Sequence, residues 1–303
     1  MPEYFITGAT GKQGGPLAYA LLSSGHGVHA LTRDPSSEAA KALQSAGAIL
    51  FQGDFSSLSA MEKAATGCEG AFLNVMPSMT SPTGELEDAK TLIKACLSAN
   101  VKHVIYSSVL LTGRHAEFPT WGRGKGGFME HFWLSKDAIE REVSGAGLDA
   151  WTILRVGVFM TNFVLPSSAF MYPELASQAI FKSAYESETK IELVAPGDVG
   201  NVAARVFEEP GKWRGKAVDV VGEVLSVRDI VGALGEVAGK EIMMEEIREG
   251  EDVSGWRSES QRWQVGIERT GKFRSDLGPL TEMGIQMTGF KGFLEGTVVL
   301  ESS

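Results

Sequence analysis

The chain has 303 residues, 43% of them hydrophobic and 22% charged, an ordinary globular composition with enough length to bury a substantial core. Its formal net charge of −10 disfavours a phosphate backbone as partner, so nucleic acid is not expected. The two cysteines, Cys68 and Cys96, have no metal or disulfide spacing, no apolar run is long enough to span a bilayer, and the N-terminus lacks a basic leader. The expectation is a cytoplasmic protein with no metal site and no membrane partner.

In chain order, Tyr4 to Ile6 reads as a strand, and Leu17, Leu21 and Leu22 as one face of a helix that Gly25 ends. Val28 to Leu31 is a second strand, Ser36 to Ala46 a helix and Ile49 to Phe51 a third strand. Ser56 or Ser57 can cap a short helix carrying Leu58 and Met61. Ala71 to Val75 is a fourth strand. Turn formers from Ser78 to Gly84, among them Met79, Thr80 and Pro82, precede a helix with Leu86, Ala89, Ile93, Cys96 and Leu97 on one face. Val101 to Ser107 is a fifth strand. A long glycine-rich loop covers about 112–127, a helix runs from Ser135 to Ala146, and Trp151 to Arg155 is a sixth strand.

Alternating strands and helices require parallel pairing through helical crossovers. The fold class is therefore α/β: a doubly wound parallel Rossmann sheet over 1–155, with a smaller mixed α/β lobe over 156–303 that folds partly back on it. In that lobe Lys190 to Val194 and Ala217 to Val221 read as strands. Asp198 reads as the cap of a helix bearing Val199, Val202 and Val206, and Ser226 with Asp229 as a capping box. Ile242 to Ile247 alternates weakly, and Gly289 to Glu301 reads as a closing helix.

Thr7 to Gly15 contains Gly8-x-x-Gly11-x-x-Gly14 between a strand and a helix. Gly8 allows a tight turn, Gly11 lets the backbone approach a pyrophosphate, and Gly14 allows close packing of the helix. The candidate cofactor contacts here are Gly8, Thr10, Gly11, Lys12, Gln13 and Gly14. At the end of the second strand Arg33 can pair with a 2′-phosphate and Lys12 can add a second charge, which favours NADP(H) over NAD. Asp34 is the contrary hint, as a ribose ligand or a helix cap. Asp54 and Phe55 are placed at the adenine, and Asn74 and Met76 along the ribose path.

These segments, with the strand Val104 to Ser108, resemble the NmrA-like family, atypical short-chain dehydrogenases/reductases related to the isoflavone-reductase-like group. Arg155 to Phe163 is similar to that family's exit from the sixth strand, which adds Val156 and Phe159 to the cofactor contacts. The resemblance implies a cofactor domain, a smaller substrate domain and NADP(H) binding. The family holds both reductases and redox-sensing regulators. Typical short-chain dehydrogenases place a Tyr four residues before a Lys on one helix; here Phe132 stands in the tyrosine place before Lys136. The isoflavone-reductase-like group keeps the lysine without that tyrosine. Lys136 is thus the candidate ribose ligand and general acid, His131 a candidate proton donor, and Ser107 and Ser108 candidate partners of a substrate carbonyl or the nicotinamide amide. Phe128, Phe132, Trp133, Phe159, Met160, Phe163 and Phe170 point to a small apolar or aromatic substrate.

Two functions follow: an NADPH-dependent reductase of a carbonyl, enone, imine or quinone, or an NADP(H)-sensing regulator whose partner is a protein. No Gly-x-Ser-x-Gly elbow supports a hydrolase, and His26, His29, His103 and His115 form no metal spacing.

Overall fold

Apolar triplets such as Tyr4–Ile6 and Ala71–Leu73 are too short for helices and too apolar for a solvated face, which leaves them one stable arrangement, as central strands covered on both sides, while Ile49–Phe51 forms an exposed edge. The computed structural model describes residues 1–77, 81, 83–119, 121–122, 127–248 and 256–300. Strands β1 (Glu3–Ile6), β2 (Gly27–Thr32), β3 (Ile49–Gln52), β4 (Gly70–Leu73), β5 (His103–Val109) and β6 (Ala150–Val156) alternate with helices α1 (Gly14–Ser23), α2 (Glu38–Ser45), α3 (Leu58–Ala65), α4 (Gly84–Ser98) and α5 (Phe128–Gly145). The second half supplies β7 (Val158–Phe159), α6 (Ser168–Met171), α7 (Pro173–Gln178), β8 (Ile180–Ser183), β9 (Lys190–Val194), α8 (Pro196–Glu208) and α9 (Pro210–Trp213). It continues through β10 (Lys216–Val220), β11 (Glu223–Ser226), α10 (Val227–Ala238), β12 (Met243–Glu246), α11 (Trp256–Thr270), α12 (Gly278–Met283) and α13 (Phe290–Leu294).

Seven strands pair in parallel in the order β10-β6-β5-β4-β1-β2-β3, a Rossmann-like doubly wound sheet. The order reverses between β1 and β4, and ligands of such sheets lie outside the strands' carboxyl ends at that switch point. One face is covered by α1 and α8 through Leu17, Leu21, Val199, Val202 and Val206. The other is covered by α3, α4 and α5 through Met61, Leu92, Ile93, Ile139 and Val143. Cys68 and Cys96 are buried there, and burial pushes both thiols up to about 12, so they behave as small apolar groups. The smaller lobe packs around Phe163, Tyr172, Phe181, Leu193 and Phe290.

The last strand of the large sheet, β10, and the helix α8 both come from the second half of the chain. A Cβ on Gly200 of α8 would lie 2.6 Å from the Leu17 nitrogen and 2.7 Å from the Gln13 carbonyl oxygen, so the two helices cross almost backbone to backbone. Among the described residues no helix is long and apolar enough to cross a membrane.

Several local expectations need correction. The helix expected from Ser135 begins at Phe128, capped by Gly127, because Phe128, Phe132 and Lys136 continue its face one turn apart. Asp198 does not cap α8. It is buried and accepts from the nitrogen and hydroxyl of Thr288 at 2.7 and 3.0 Å. Ser57 makes no side-chain cap on α3; instead Asp54 closes the preceding turn by accepting from the nitrogen and hydroxyl of Ser56. The closing helix covers only Phe290–Leu294, since Gly296 turns left-handed at φ 77°. Leu97 is exposed, one position beyond the buried face of α4. The capping box of Ser226 and Asp229 forms as read. Within the expected loops, Ser78, Met79, Thr80 and Pro82, together with 120 and 123–126, lie outside the described residues.

Candidate functional site

The glycine loop after β1 is shaped by contacts a side chain would destroy. Gly8 sits at φ 63°, and the Gly11 N–H donates to its carbonyl oxygen at 2.8 Å. A Cβ on Gly14 would lie 2.5 Å from that same oxygen, and one on Gly8 would lie 3.2 Å from the Asn74 amide nitrogen. The loop is stitched to its neighbours. The Thr7 hydroxyl donates to the Phe72 carbonyl at 2.8 Å and accepts from the Asn74 N–H at 2.9 Å. The Ser107 hydroxyl donates to the Gln13 Oε1 at 2.7 Å, and the Gln13 amide donates to the Asn74 Oδ1 at 3.5 Å. These bonds join the carboxyl ends of β1, β4 and β5 into one rim.

Below that rim a cavity of about 580 Å³ opens between the sheet and the smaller lobe. Of the residues picked from the sequence, Gln13, Asn74, Met76, Ser107, Ser108, Lys136, Val156 and Phe159 line it, as do Phe128, Phe132 and Trp133. Gly8, Thr10, Gly11, Lys12, Gly14, Arg33, Asp54 and Phe55 lie outside the cavity, at or beyond the carboxyl ends of β1, β2 and β3. Phe55 is half-buried and packs against the core beside α3. Met160 and Phe163 are buried in the core of the smaller lobe and Phe170 is exposed, so none of these three lines the cavity.

Lys136 is buried on α5 with its ammonium 2.6 Å from Glu85 Oε1, while the other oxygen of Glu85 accepts from the Ser135 hydroxyl at 2.8 Å. The ammonium also sits 5.6 Å from the Tyr106 ring centre and 5.7 Å from that of Phe132, within cation–π range. The Tyr106 phenol is outside the cavity lining. Burial, with Glu85 and Glu140 near, pushes its pKa well above the ordinary value. Ser108 gives its proton to Glu140 at 2.6 Å, and Glu140 also takes both Nε and Nη2 of Arg155, at 3.1 and 2.6 Å. That network turns the Ser108 proton away from any cavity ligand. His131 is not part of the lining, and its Nδ1 lies 3.0 Å from the Gly127 carbonyl oxygen.

At the nucleotide end, Asp34 accepts from the nitrogen and hydroxyl of Ser36 at 2.8 and 2.5 Å. Those bonds hold its carboxyl below the usual range and make it a turn-former. Arg33 and Lys12 are exposed, and neither makes an ion pair with the described residues. Asp54 forms the same kind of turn with Ser56, again with its carboxyl held low.

The sequence did not point to Glu85, to Phe118, Trp263 and Phe273, which pack around Trp133, or to the far wall of Tyr172, Tyr185, Gln261 and Gln264. Glu85 gave only the signal of an acid in the first turn of a helix, where the macrodipole is reason enough for one.

The NmrA-like family model matches residues 4–254 of the chain. The NmrA-like family domain-containing oxidoreductase lnaB of Aspergillus flavus is 30% identical over 258 residues, which cover 80% of this chain and 75% of that one. Among solved structures, the fold is similar to the NADPH-dependent quinone oxidoreductase QOR2 of Escherichia coli complexed with NADPH, at TM-score 0.74 and 22% identity over 96% of this chain and 98% of that one. It is also similar to NmrA, a negative transcriptional regulator solved with NAD and with NADP, at TM-scores of 0.75 and 0.76 and 20% identity over 97% of this chain and 94% of that one. With the glycine loop, the doubly wound sheet and the buried lysine of α5 in place, the chain belongs to the NmrA-like family.

Proposed function

We propose that this protein is a cytoplasmic NADPH-dependent reductase of a small apolar carbonyl, enone, imine or quinone. The observation that carries the reading is Lys136, an ammonium sealed between a carboxylate and two rings at the wall of a cavity that aromatic and aliphatic side chains otherwise dominate. The oxidoreductase names of relatives such as lnaB and QOR2 agree with it.

The chain fits the dinucleotide. The turn at Gly8 to Gly14 excludes side chains, so backbone N–H groups can reach a diphosphate at the start of α1. Asp34 is tied to Ser36 and does not compete with Arg33, which leaves the guanidinium to pair with a 2′-phosphate and favours NADP(H) over NAD. Bound NADPH supplies the hydride. Lys136 has one proton on Glu85 and further protons to offer an oxygen or nitrogen that gains negative charge, in a setting where such charge is poorly screened by water. Ser107 and Gln13 fix the rim above it. Phe132 adds shape and no proton.

The test is NADPH oxidation across a panel of ketones, enones, imines and quinones. Turnover of at least one class is expected, and none across the panel with cofactor still bound would reject the enzyme. Phe132 favours that second outcome, an NADP(H)-binding regulator that needs no phenolic proton donor and answers to a protein partner. A pull-down that depends on the redox state of the cofactor would identify it.

Two variants check the cofactor site. Arg33→Ala is expected to weaken NADPH binding by about 10- to 100-fold, the loss of a charge-assisted contact, and to leave NADH nearly unchanged. Equal losses for both nucleotides in calorimetry would remove Arg33 from the 2′-phosphate. Gly14→Ala should weaken both nucleotides alike, by about tenfold or more, because its Cβ must push the Gly8 carbonyl 2.5 Å away out of place. Wild-type affinity in that variant would contradict the shape argument.

A further inference from the structure

On the cavity wall contributed by the smaller lobe, two glutamine amides have their oxygens taken up. The Ala184 N–H donates to the Gln261 Oε1 at 2.7 Å. The Tyr185 hydroxyl donates to the Gln264 Oε1 at 2.6 Å. Tyr185 is 8% exposed, and its ring is held in the core of the smaller lobe with Tyr172. A phenol fixed by packing thus holds the Gln264 oxygen. Gln264 lines the cavity, its oxygen is spoken for, and its NH₂ makes no hydrogen bond to the described residues.

We infer that the Gln264 amide nitrogen recognises a second polar group of the substrate, and that this group is a hydrogen-bond acceptor. The inference deepens the proposed function and rests on its reading of the cavity as the substrate site. The substrate class is an apolar, largely aromatic carbonyl compound whose remote end carries a further carbonyl, ether or ring nitrogen. A donor at that position meets an NH₂ that cannot accept and is disfavoured there. Gln264 is a specificity residue, and Tyr185 is a positioning residue that keeps its amide from turning over.

The experiment measures ligand binding to the NADP⁺-loaded protein by calorimetry, with ketone pairs that differ only in a remote acetyl or isopropyl group. These are 1,4-diacetylbenzene against 4-isopropylacetophenone, and 4,4′-diacetylbiphenyl against 4-acetyl-4′-isopropylbiphenyl. In at least one pair the acetyl member is expected to bind about three- to tenfold tighter, the worth of one neutral hydrogen bond. Gln264→Leu should erase that preference. Gln264→Glu should shift it toward the donor-tipped 4-aminoacetophenone. Tyr185→Phe should leave the amide free to turn and so remove discrimination between acceptor and donor tips, a change that mere loss of packing does not produce. No acetyl preference in either wild-type pair, or a preference that survives Gln264→Leu, overturns the inference. Because the oxidised cofactor permits no reduction, the outcome is independent of turnover. A protein that shows the preference yet never oxidises NADPH loses the reductase reading alone, and one that reduces ketones without the preference loses only this inference.

Discussion

Replacing Lys136 by methionine is expected to lower NADPH-dependent turnover by about two to four orders of magnitude, the usual worth of a positioned proton donor. The same change should cost the fold about 3–5 kcal/mol, because it strands Glu85 as a buried carboxylate without its counter-ion. The pair is 2.6 Å apart, with side-chain exposures of 7% and 3%, so solvent cannot replace the missing partner. A single variant thus confounds chemistry with folding. The double variant Lys136→Met/Glu85→Gln separates them. Its neutral amide can still accept from the Ser135 hydroxyl, so urea denaturation should show most of the stability restored while initial rates stay at the floor. If Lys136→Met turns over normally at saturating cofactor, the lysine has no role in the reaction. If it is as stable as the wild type, the pair does not carry the buried-charge penalty assigned to it.

The second large effect is a pH dependence at the opposite end of the sheet. His103 opens β5 and is buried. Desolvation, helped by the Arg214 charge, pushes its pKa from 6.5 down to about 4. The Thr152 hydroxyl donates to the Trp213 carbonyl at 2.9 Å, so it accepts from the imidazole Nε2–H at 2.9 Å, which sets the Nε2–H tautomer of the neutral ring. The folded form therefore binds the proton more weakly than the unfolded chain. The contribution of His103 is fully in place above pH 6.5 and is lost as pH falls toward 4, by about 3 kcal/mol in all. Equilibrium unfolding at intervals over that range should show the decline, and His103→Leu should flatten it. An equal slope in the variant would place the acid sensitivity elsewhere.

The parts of this molecule that were legible in its sequence are those written in local pattern. The period of the apolar residues gave the strands and helices of the first half, and the glycines at 8, 11 and 14 gave the loop, because each need is met within a few residues. Lys136 was legible for the same reason, through its spacing from Phe132. Its partner was not. Glu85 lies 51 positions away, and only the packing of α4 against α5 brings the carboxylate to the ammonium. The Tyr185–Gln264 contact was hidden in the same manner. A glutamine on a polar-looking helix carries no sign that a tyrosine 79 positions away will take up its oxygen. Asp198 was misassigned because an acid near a helix start has several local uses, and a distant partner, Thr288, decides among them.

The crossing of α8 over α1 at Gly200 governs how this protein can be recombined with its relatives. A chimaera joined at residue 156 would import a foreign α8 and β10, and with them the surface on which the nucleotide-loop helix rests and the terminal strand of the large sheet. Unless the donor also brings a glycine at that crossing, its helix cannot seat against Leu17 and Gln13. Shuffled chains should therefore retain 196–220 with the N-terminal parent and exchange only the segments that wall the cavity.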